Sequence, residues 1–336
     1  MSIARATTHH ELEPKIKATA QAGFEAIELF YEDIKLPSRR QTNITRPFQE
    51  NLYSNARLFR KLCDQYGLKV IVFQPFKNYE GLLSKSRHEE KLAKAMVFFE
   101  ICQILGADIL LIPSMFHTSL EIATGGEKVV EDFRELADLA ASYSPPIRLA
   151  YEYMAWGAHV DSWQTTWAVV QKVDRSNFGM CIDTYHTLAK VYGDPEALDG
   201  LRPNALESLK ADLADLARMV DVQKIWYIQL SEAMKMDTPL SPSHPFFNSQ
   251  QHPLMQWSRN GRVFPGDLEL GGYMPVDEIV RTLVLEMGYQ GWVSMESFHA
   301  STADPDPETP IRQAQKAMKL WKQLVASLET ESKTGE

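Results

Sequence analysis

The chain of 336 residues lacks the features that indicate nucleic-acid, membrane or nucleotide chemistry. No basic run exceeds a pair such as Arg39-Arg40, and the formal net charge is −9, so a basic footprint for phosphate backbones is missing. No apolar stretch reaches the length of a membrane span. No Gly-rich phosphate loop and no G-x-S-x-G motif occurs. We therefore expect no nucleic-acid partner, no membrane association, no nucleotide cofactor and no serine-esterase chemistry.

Cysteine is also scarce. Cys63, Cys102 and Cys181 fall in apolar segments and lack the spacing of a disulfide framework or a structural zinc site. Small buried thiols of this kind are typical of proteins in a reducing compartment. With 44% hydrophobic and 24% charged residues, the chain can bury a large core. The composition predicts a soluble cytoplasmic protein and leaves open whether it forms a homo-oligomer.

A repeated order of amphipathic segment, glycine and short apolar run organises most of the chain. Gly23, Gly67 and Gly106 fall where a helix is expected to end and a run such as LKVIVF or ADILLI follows. Apolar runs without alternation indicate strands buried on both faces, as in a parallel sheet. With the opening SIARAT counted as the first strand, the pattern predicts eight strands and eight helices. That architecture is a single (β/α)8 TIM barrel.

Two segments interrupt the repeat. Residues 35–50 are predicted to form a polar loop, and residues 231–274 a much longer one after the seventh strand. A loop of that length in a compact domain is usually a lid or a binding loop. We assign residues 1–328 to one catalytic barrel, which includes the 231–274 lid, and residues 329–336 to a polar C-terminal tail.

Four oxygen-bearing side chains lie in successive strand-like runs: Glu152 in RLAYEYM, Asp183 in FGMCIDTYH, Gln229 in KIWYIQL and Glu296 in WVSMESF. A polar group in an apolar run is costly without a partner, and the carboxyl ends of barrel strands converge on one pocket. Three carboxylates and one amide oxygen suit Mg²⁺ or Mn²⁺, with Co²⁺ as a third choice. A single strand-end acid is as often a helix cap or an ion-pair partner, but four together predict one divalent metal ion.

Two further residues are candidates for proton transfer. His186 follows Asp183 by three positions, and an imidazole titrates near working pH. Its alternative is a surface histidine, or one that only supports the metal ligands. Glu28 ends the second predicted strand in AIELF, where it either orders a base, contacts the substrate or forms a plain ion pair.

The order of Glu, Asp-x-x-His, Gln and Glu on the last four strands resembles the xylose isomerase-like barrel superfamily of isomerases, epimerases and dehydratases. The segments YEYMAWGAHV, NFGMCIDTYHTL, FQPFKNYEG and WSRNGRVFPG are similar, within it, to the 3-dehydroshikimate dehydratases of quinate and shikimate catabolism. The similarity runs over nearly the whole chain. It implies one divalent metal ion and a small carboxylate substrate. Gln229 departs from the sugar epimerases, which commonly carry histidine at that position.

The same resemblance supplies the candidates for binding the substrate carboxylate. The family's substrate-contacting Ser-Arg pair falls on Ser258 and Arg259, and Arg262 follows in the same loop. Lys77 stands where the family often carries arginine. Lysine keeps the positive charge but loses the bidentate fork that grips a carboxylate. For each of these cations the alternative is a solvated surface charge.

Other functions share this barrel. A sugar or hydroxy-keto-acid isomerase or epimerase needs a second proton-transfer group in place of a leaving group, and cations aimed at a carboxylate favour the dehydratase. A DNA-repair endonuclease needs a histidine-rich zinc cluster and a basic groove, which one motif histidine and a net charge of −9 do not supply. A non-catalytic metal-binding protein is the remaining alternative.

Overall fold

A computed structural model describes residues 2–5, 10–40, 48–117, 122–123 and 126–334. Its main sheet has seven strands in chain order, and every neighbouring pair is parallel. The seven are β1 (Ala26–Phe30), β2 (Lys69–Gln74), β3 (Ile109–Pro113), β4 (Arg148–Glu152), β5 (Phe178–Asp183), β6 (Ile225–Leu230) and β9 (Trp292–Met295). Two short strands between β6 and β9, β7 (Glu232–Ala233) and β8 (Arg262–Val263), pair antiparallel to each other.

Helices alternate with these strands and pack around the sheet, with α3 against α4 and α1 against α11. Their bounds are α1 (Leu12–Ala22), α2 (Tyr31–Arg40), α3 (Phe48–Gln65), α4 (Lys85–Leu105), α5 (Glu127–Ala141), α6 (Trp163–Val173), α7 (Thr184–Val191), α8 (Ala205–Met219), α9 (Pro253–Gly261), α10 (Val276–Arg281) and α11 (Thr309–Thr334). Within the described ranges no helix has both the length and the apolar character that a membrane crossing requires.

The apolar runs form strands that are buried on both faces, as the sequence predicts. Every residue of β3 and of β5 is buried, which requires cover on both sides of the sheet. Gly106 ends α4 with φ 68°, and its N–H caps the carbonyl oxygens of Cys102 and Gln103. The helix–glycine–strand unit and the TIM-barrel fold are thereby confirmed.

The prediction of eight barrel strands is wrong for the described N-terminal residues, because residues 2–5 form no strand. Arg5 donates its backbone N–H to the carbonyl oxygen of Thr302 at 2.7 Å. The hydroxyl of Ser2 accepts from the N–H of Ser297 at 3.1 Å. These contacts place the segment beside the chain that follows β9 rather than in the sheet. In the described part of the chain no ladder joins β1 to β9, and a cavity of about 820 Å³ lies along that seam.

The two segments predicted as loops contain more regular structure than expected. Residues 35–40 belong to α2, which is anchored by the buried Ile34, whose carbonyl oxygen accepts from Asn55. Residues 48–50 begin α3, and residues 41–47 lie outside the described residues. The long segment 231–274 carries β7, α9 and β8 rather than irregular chain. At the C-terminus α11 continues to Thr334, and the division at residue 328 stays a prediction.

Candidate active site

Four strand ends bring the predicted metal ligands to one end of the barrel. Glu152 ends β4, Asp183 ends β5, Gln229 lies one residue before the end of β6, and Glu296 directly follows β9. Asp183 and Gln229 are register partners in neighbouring strands. None of the four is more than 6% exposed. In a parallel barrel this is the end at which catalytic side chains collect.

Contacts between the side chains join these residues into one cluster with His186. Its Nε2 lies 3.6 Å from Glu152 Oε1 and 3.5 Å from Asp183 Oδ2. Glu152, Asp183 and His186 offer ligand atoms within 4.8 Å of one another. Gln229 Nε2 lies 3.2 Å from Glu296 Oε1, which connects the other two candidates. The chain therefore contains acidic and histidine groups that could hold a divalent metal.

Burial raises the pKa of every carboxyl in the cluster. Burial, followed by the nearby charges of Asp183 and Glu296, raises the pKa of Glu152 well above its usual range. Burial raises the pKa of Glu296 to about 8, although Arg262 acts in the opposite direction. Three crowded oxygen donors that resist ionising together fit a hard divalent cation, which would favour the charged forms.

Gln229 fits that set only after its amide turns. Its Oε1 lies 3.4 Å from the sulfur of Cys181, while its Nε2 points to Glu28 and Glu296. The two ends of an amide are assigned from the hydrogen-bond network, and here two carboxylates favour the nitrogen on their side. Glu152 and Asp183 already offer oxygens close to one another, while Arg262 donates to Asp183 and to Glu296. An ion held by all three carboxylates would share or displace those contacts, and the amide oxygen could join after rotation.

Arg262 is placed among the protein's own acids. Only 2% exposed, it donates through Nη1 to Asp183 Oδ2 at 2.7 Å and also to Glu296 Oε2. Its guanidinium carbon lies 4.4 Å from the ring centre of Tyr185 and 5.0 Å from that of Phe298. The sequence grouped Arg262 with the residues that bind the substrate carboxylate. In the structure its charge is already matched by two buried acids.

His186 is buried beside the acid cluster, and its two ring nitrogens have different neighbours. The backbone N–H of Ala155 donates to His186 Nδ1 at 3.0 Å. Burial, followed by the charge of Arg262, holds the pKa of the imidazole well below its usual range. Nε2 faces Glu152 and Asp183 and lies 3.2 Å from Arg262 Nη2, which can only donate. The Ala155 contact favours a proton on Nε2, whereas the Arg262 contact favours a lone pair there, so the two contacts compete for the tautomer.

Glu28, the other candidate for proton transfer, is surrounded by donors. Its carboxylate accepts from Ser294 at 2.7 Å, from Tyr227 and Gln229 at 2.8 Å each, and from Gln74 at 2.9 Å. Burial raises its pKa above the ordinary value, although these hydrogen bonds act in the opposite direction. The geometry gives Glu28 a role in holding its neighbours.

Lys77 and Arg259 lie close enough that the charge of Arg259 lowers the pKa of Lys77, after burial as the main cause. Lys77 Nζ lies 5.6 Å from the ring centre of Phe30. Arg259 is exposed at the end of α9 next to the buried Ser258, and partial burial of its guanidinium lowers its pKa. No carboxylate in the described ranges forms a salt bridge with either cation. The charge of Glu32 acts on Lys77 more than that of Arg259 does and raises its pKa, but no salt bridge among the described residues neutralises the two cations, which suits them to an anionic ligand.

The sequence predictions did not include several residues of the site, although the strand pattern points to some of them. Gln74 ends the apolar run of β2 just as the four predicted ligands end theirs. Tyr227 and Ser294 lie two positions before Gln229 and Glu296, so strand alternation places them on the same face. Tyr185 and Phe298 have no such signal, because their importance depends on Arg262, which is distant in sequence.

Comparison with known proteins places these features in a wider group. A family model described as xylose isomerase-like TIM barrel matches residues 16–323. A Neurospora crassa protein named 3-dehydroshikimate dehydratase is 38% identical over 332 residues, which is 98% of this chain and 92% of that protein. A Pseudomonas aeruginosa protein with the same name is 28% identical over 302 residues. That alignment covers 89% of this chain but only 38% of the longer relative.

Solved structures share the fold. A fusion of a xylose isomerase-like TIM barrel with a 4-hydroxyphenylpyruvate dioxygenase has a TM-score of 0.70 and 25% identity, covering 96% of this chain and 43% of that one. An IolI protein solved with a bound zinc atom has a TM-score of 0.65 and 17% identity, covering 96% and 94%. A probable 3-DHS dehydratase from Bacillus anthracis, involved in petrobactin synthesis, has a TM-score of 0.60 and 14% identity, covering 96% and 97%.

Proposed function

Because this chain belongs to the xylose isomerase-like TIM barrel family, we propose that its acid cluster and neighbouring cations serve a hydro-lyase. The reaction is the metal-dependent dehydration of 3-dehydroshikimate to protocatechuate (3,4-dihydroxybenzoate). The N. crassa relative supports this substrate, because its name carries the activity and its similarity extends over 98% of this chain. The observation that carries the proposal is the buried cluster of three carboxylates with the cations Lys77 and Arg259 nearby.

The metal ion would be held by Glu152, Asp183 and Glu296, with Gln229 as a neutral fourth donor once its amide turns. Mg²⁺, Mn²⁺ and Co²⁺ suit this oxygen-rich set. When bound, such an ion supplies Lewis acidity to the ketone of the substrate and stabilises negative charge on that oxygen. The raised pKa of each carboxyl supports the assignment, because the cluster gains from a cation that replaces its protons.

The substrate carboxylate would lie between Lys77 and Arg259, with Ser258 as a hydroxyl partner. Neither cation has a salt bridge to an acid of the described segments, so their charges are available to a ligand. A carboxylate fixed at that end of the ring turns the ketone and the adjacent hydroxyl toward the acid cluster. Orientation of this kind lowers the entropy lost on reaching the transition state.

His186 would carry the proton between the ring and the departing hydroxyl. Its Nε2 faces Glu152 and Asp183, so a ligand bound there lies within its reach. With a lone pair on Nε2, the imidazole would take the proton from the ring carbon and pass it to the hydroxyl, which leaves as water, and the ring becomes aromatic. Glu28 is filled by four donors, so we assign it to support of Gln229.

The test is to identify the product. Wild-type protein loaded with Mn²⁺ is incubated with 3-dehydroshikimate, and the mixture is analysed by proton NMR and mass spectrometry. The proposal predicts a product that has lost one water and shows aromatic protons. The alternative, a sugar or hydroxy-keto-acid isomerase, predicts a product of unchanged mass without aromatic signals. Asp183→Asn loaded in the same way is the matched control, because it alters one ligand and should form little product.

A further inference from the structure

The guanidinium of Arg262 is enclosed by two similar pairs of residues from distant parts of the chain. Asp183 and Tyr185 are two positions apart after β5, and Glu296 and Phe298 are two positions apart after β9. In each pair the acid accepts from Arg262 Nη1, and the aromatic ring lies against the guanidinium, at 4.4 Å for Tyr185 and 5.0 Å for Phe298. Two acid–x–aromatic pairs from distant parts of the chain thus contact one arginine.

Backbone contacts fasten the same arginine to the chain after β9. The carbonyl oxygen of Arg262 accepts from the hydroxyl of Ser297 at 2.9 Å and from the N–H of Phe298 at 3.1 Å. Nη1 is occupied by two acids, and Nη2 lies 3.2 Å from His186 Nε2. The side chain is therefore held firmly, with little freedom to follow a substrate.

Arg262 follows directly after α9, so holding it also holds that helix. Tyr185 adds a second attachment, because its hydroxyl donates to the carbonyl oxygen of Leu254 near the start of α9 at 2.6 Å. Its ring also packs edge-on against Trp257 at 5.9 Å between ring centres. Both ends of residues 253–263 are thus attached to the acid cluster through Tyr185 and Arg262.

We propose that Arg262 is a positioning residue that latches residues 253–263 over the acid cluster by means of these two acid–x–aromatic pairs. The latch places Ser258 and Arg259, which lie on the same helix, where they meet a bound carboxylate. A planar, permanently charged guanidinium can stack on two rings while it donates to two acids. A lysine keeps the charge but not the stacked, forked contact. The part of this inference that concerns the substrate rests on the proposed function; the latch itself does not.

The test measures backbone hydrogen exchange in full-length, Mn²⁺-loaded protein without substrate. Arg262→Lys and Phe298→Leu each remove part of the latch, and Arg148→Met is the matched control. Arg148 also pairs with an acid, Asp108, and stacks 5.0 Å from the ring centre of Trp226, but it begins β4 at the other end of the barrel. Exchange in peptides covering 253–263 should rise about tenfold in both latch variants, since each variant loses part of a stacked, desolvated cation contact.

Arg148→Met should leave exchange in residues 253–263 unchanged, and the barrel strands should exchange as in wild type in all variants. With substrate, Arg262→Lys should raise KM about tenfold, because Arg259 loses its fixed position. Wild-type exchange in residues 253–263 of both latch variants would overturn the proposal. Because hydrogen exchange is measured without substrate, its result tests the latch even if the protein is not a dehydratase. A wrong dehydratase assignment is detected separately, by the absence of an aromatic product.

Discussion

Gln229 donates its side-chain N–H to Glu28 Oε1 across 2.8 Å. The same nitrogen lies 3.2 Å from Glu296 Oε1, so two carboxylates determine which side of the amide carries the nitrogen. Glu28 also accepts from Tyr227 and Ser294. Its carboxylate therefore holds the Gln229 amide with the nitrogen toward the acids, while its own acceptor sites are filled.

Replacing Glu28 should weaken metal binding more than it lowers kcat. Glu28→Gln keeps the size of the side chain but turns one oxygen into a donor that faces other donors. Metal affinity should fall about 10–100-fold, the usual effect of changing a neighbour of the ligands, because the variant removes a negative charge that acts on Glu152 and Glu296. Isothermal titration with Mn²⁺ measures it, with Glu25→Gln, an exposed residue just before β1, as the control. Unchanged metal affinity combined with a loss of kcat would return Glu28 to proton transfer.

The amount of bound metal lost when a predicted ligand is removed should depend on the charge of that ligand. Glu152→Ala, Asp183→Ala and Glu296→Ala each take a negative charge from the site and should nearly abolish bound metal. Gln229→Ala should be milder, because it removes a neutral donor. Metal content measured by elemental analysis after dialysis gives the order. Equal retention of metal in Asp183→Ala and wild type would place the ion elsewhere.

If Lys77 and Arg259 hold the substrate carboxylate, replacing Arg259 should weaken substrate binding and leave the metal content unchanged. Arg259→Ala should cost about 2–5 kcal/mol of binding, since a desolvated carboxylate loses its partner. Lys77→Arg should preserve or improve binding, because the guanidinium fork suits a carboxylate. Steady-state kinetics together with metal content separate the two effects, and Lys61→Ala, on the exposed face of α3, is the control. An Arg259→Ala variant with wild-type kinetics would leave that residue a surface charge.

His186 should affect rate more than affinity. His186→Ala should lose about 10²–10⁴ in kcat, the usual contribution of a positioned acid–base group, while metal content stays near wild type. Because the pKa of the imidazole is held well below its usual range, the wild-type rate should not fall through protonation of His186 until the pH is well below 6.5. Rescue of the variant by added metal would show that His186 only supports the metal ligands.

Glu80 should make stability depend on pH. Burial raises its pKa to about 7 from the ordinary 4.5, although its Oε1 accepts from Met115 and Tyr151. A carboxyl with a raised pKa contributes its full stability below pH 4.5 and loses it as the pH rises through 7. The loss is on the order of 3 kcal/mol for a shift of this size. Glu80→Gln keeps the acceptor oxygen, so its free energy of unfolding should fall less than that of wild type between pH 5 and pH 8, by thermal or urea melts.

Local pattern was sufficient for the parts of the fold that depend on burial. The apolar runs of β3 and β5 predict strands that are covered on both faces. The acids at the ends of such runs collect at one end of the barrel, because all the strands of the main sheet are parallel. Gln74 also ends an apolar strand, so the same pattern indicates that it belongs to the site. Residues 2–5 do not form the predicted N-terminal strand, because Arg5 and Ser2 form hydrogen bonds with the segment after β9. Local sequence does not reveal such long-range partners.

The roles inside the site needed the three-dimensional arrangement. Arg262 was identified as a functional cation, but its partners Asp183 and Glu296 lie 79 and 34 positions away in the chain. Which nitrogen of His186 carries the proton depends on two contacts, one with the backbone N–H of Ala155 and one with Nη2 of Arg262. Contacts of this kind depend on how loops pack over the strand ends, and no periodicity encodes them.

The most direct test of the account follows aromatic product while metal is added back. Protein stripped by a chelator is titrated with Mn²⁺ in the presence of 3-dehydroshikimate, and the ultraviolet absorbance of protocatechuate is recorded. The account predicts no product without metal, a rate that rises until one ion is bound per chain, and one product formed for each substrate consumed. Full activity in protein shown to be metal-free, or consumption of substrate without an aromatic product, would contradict it.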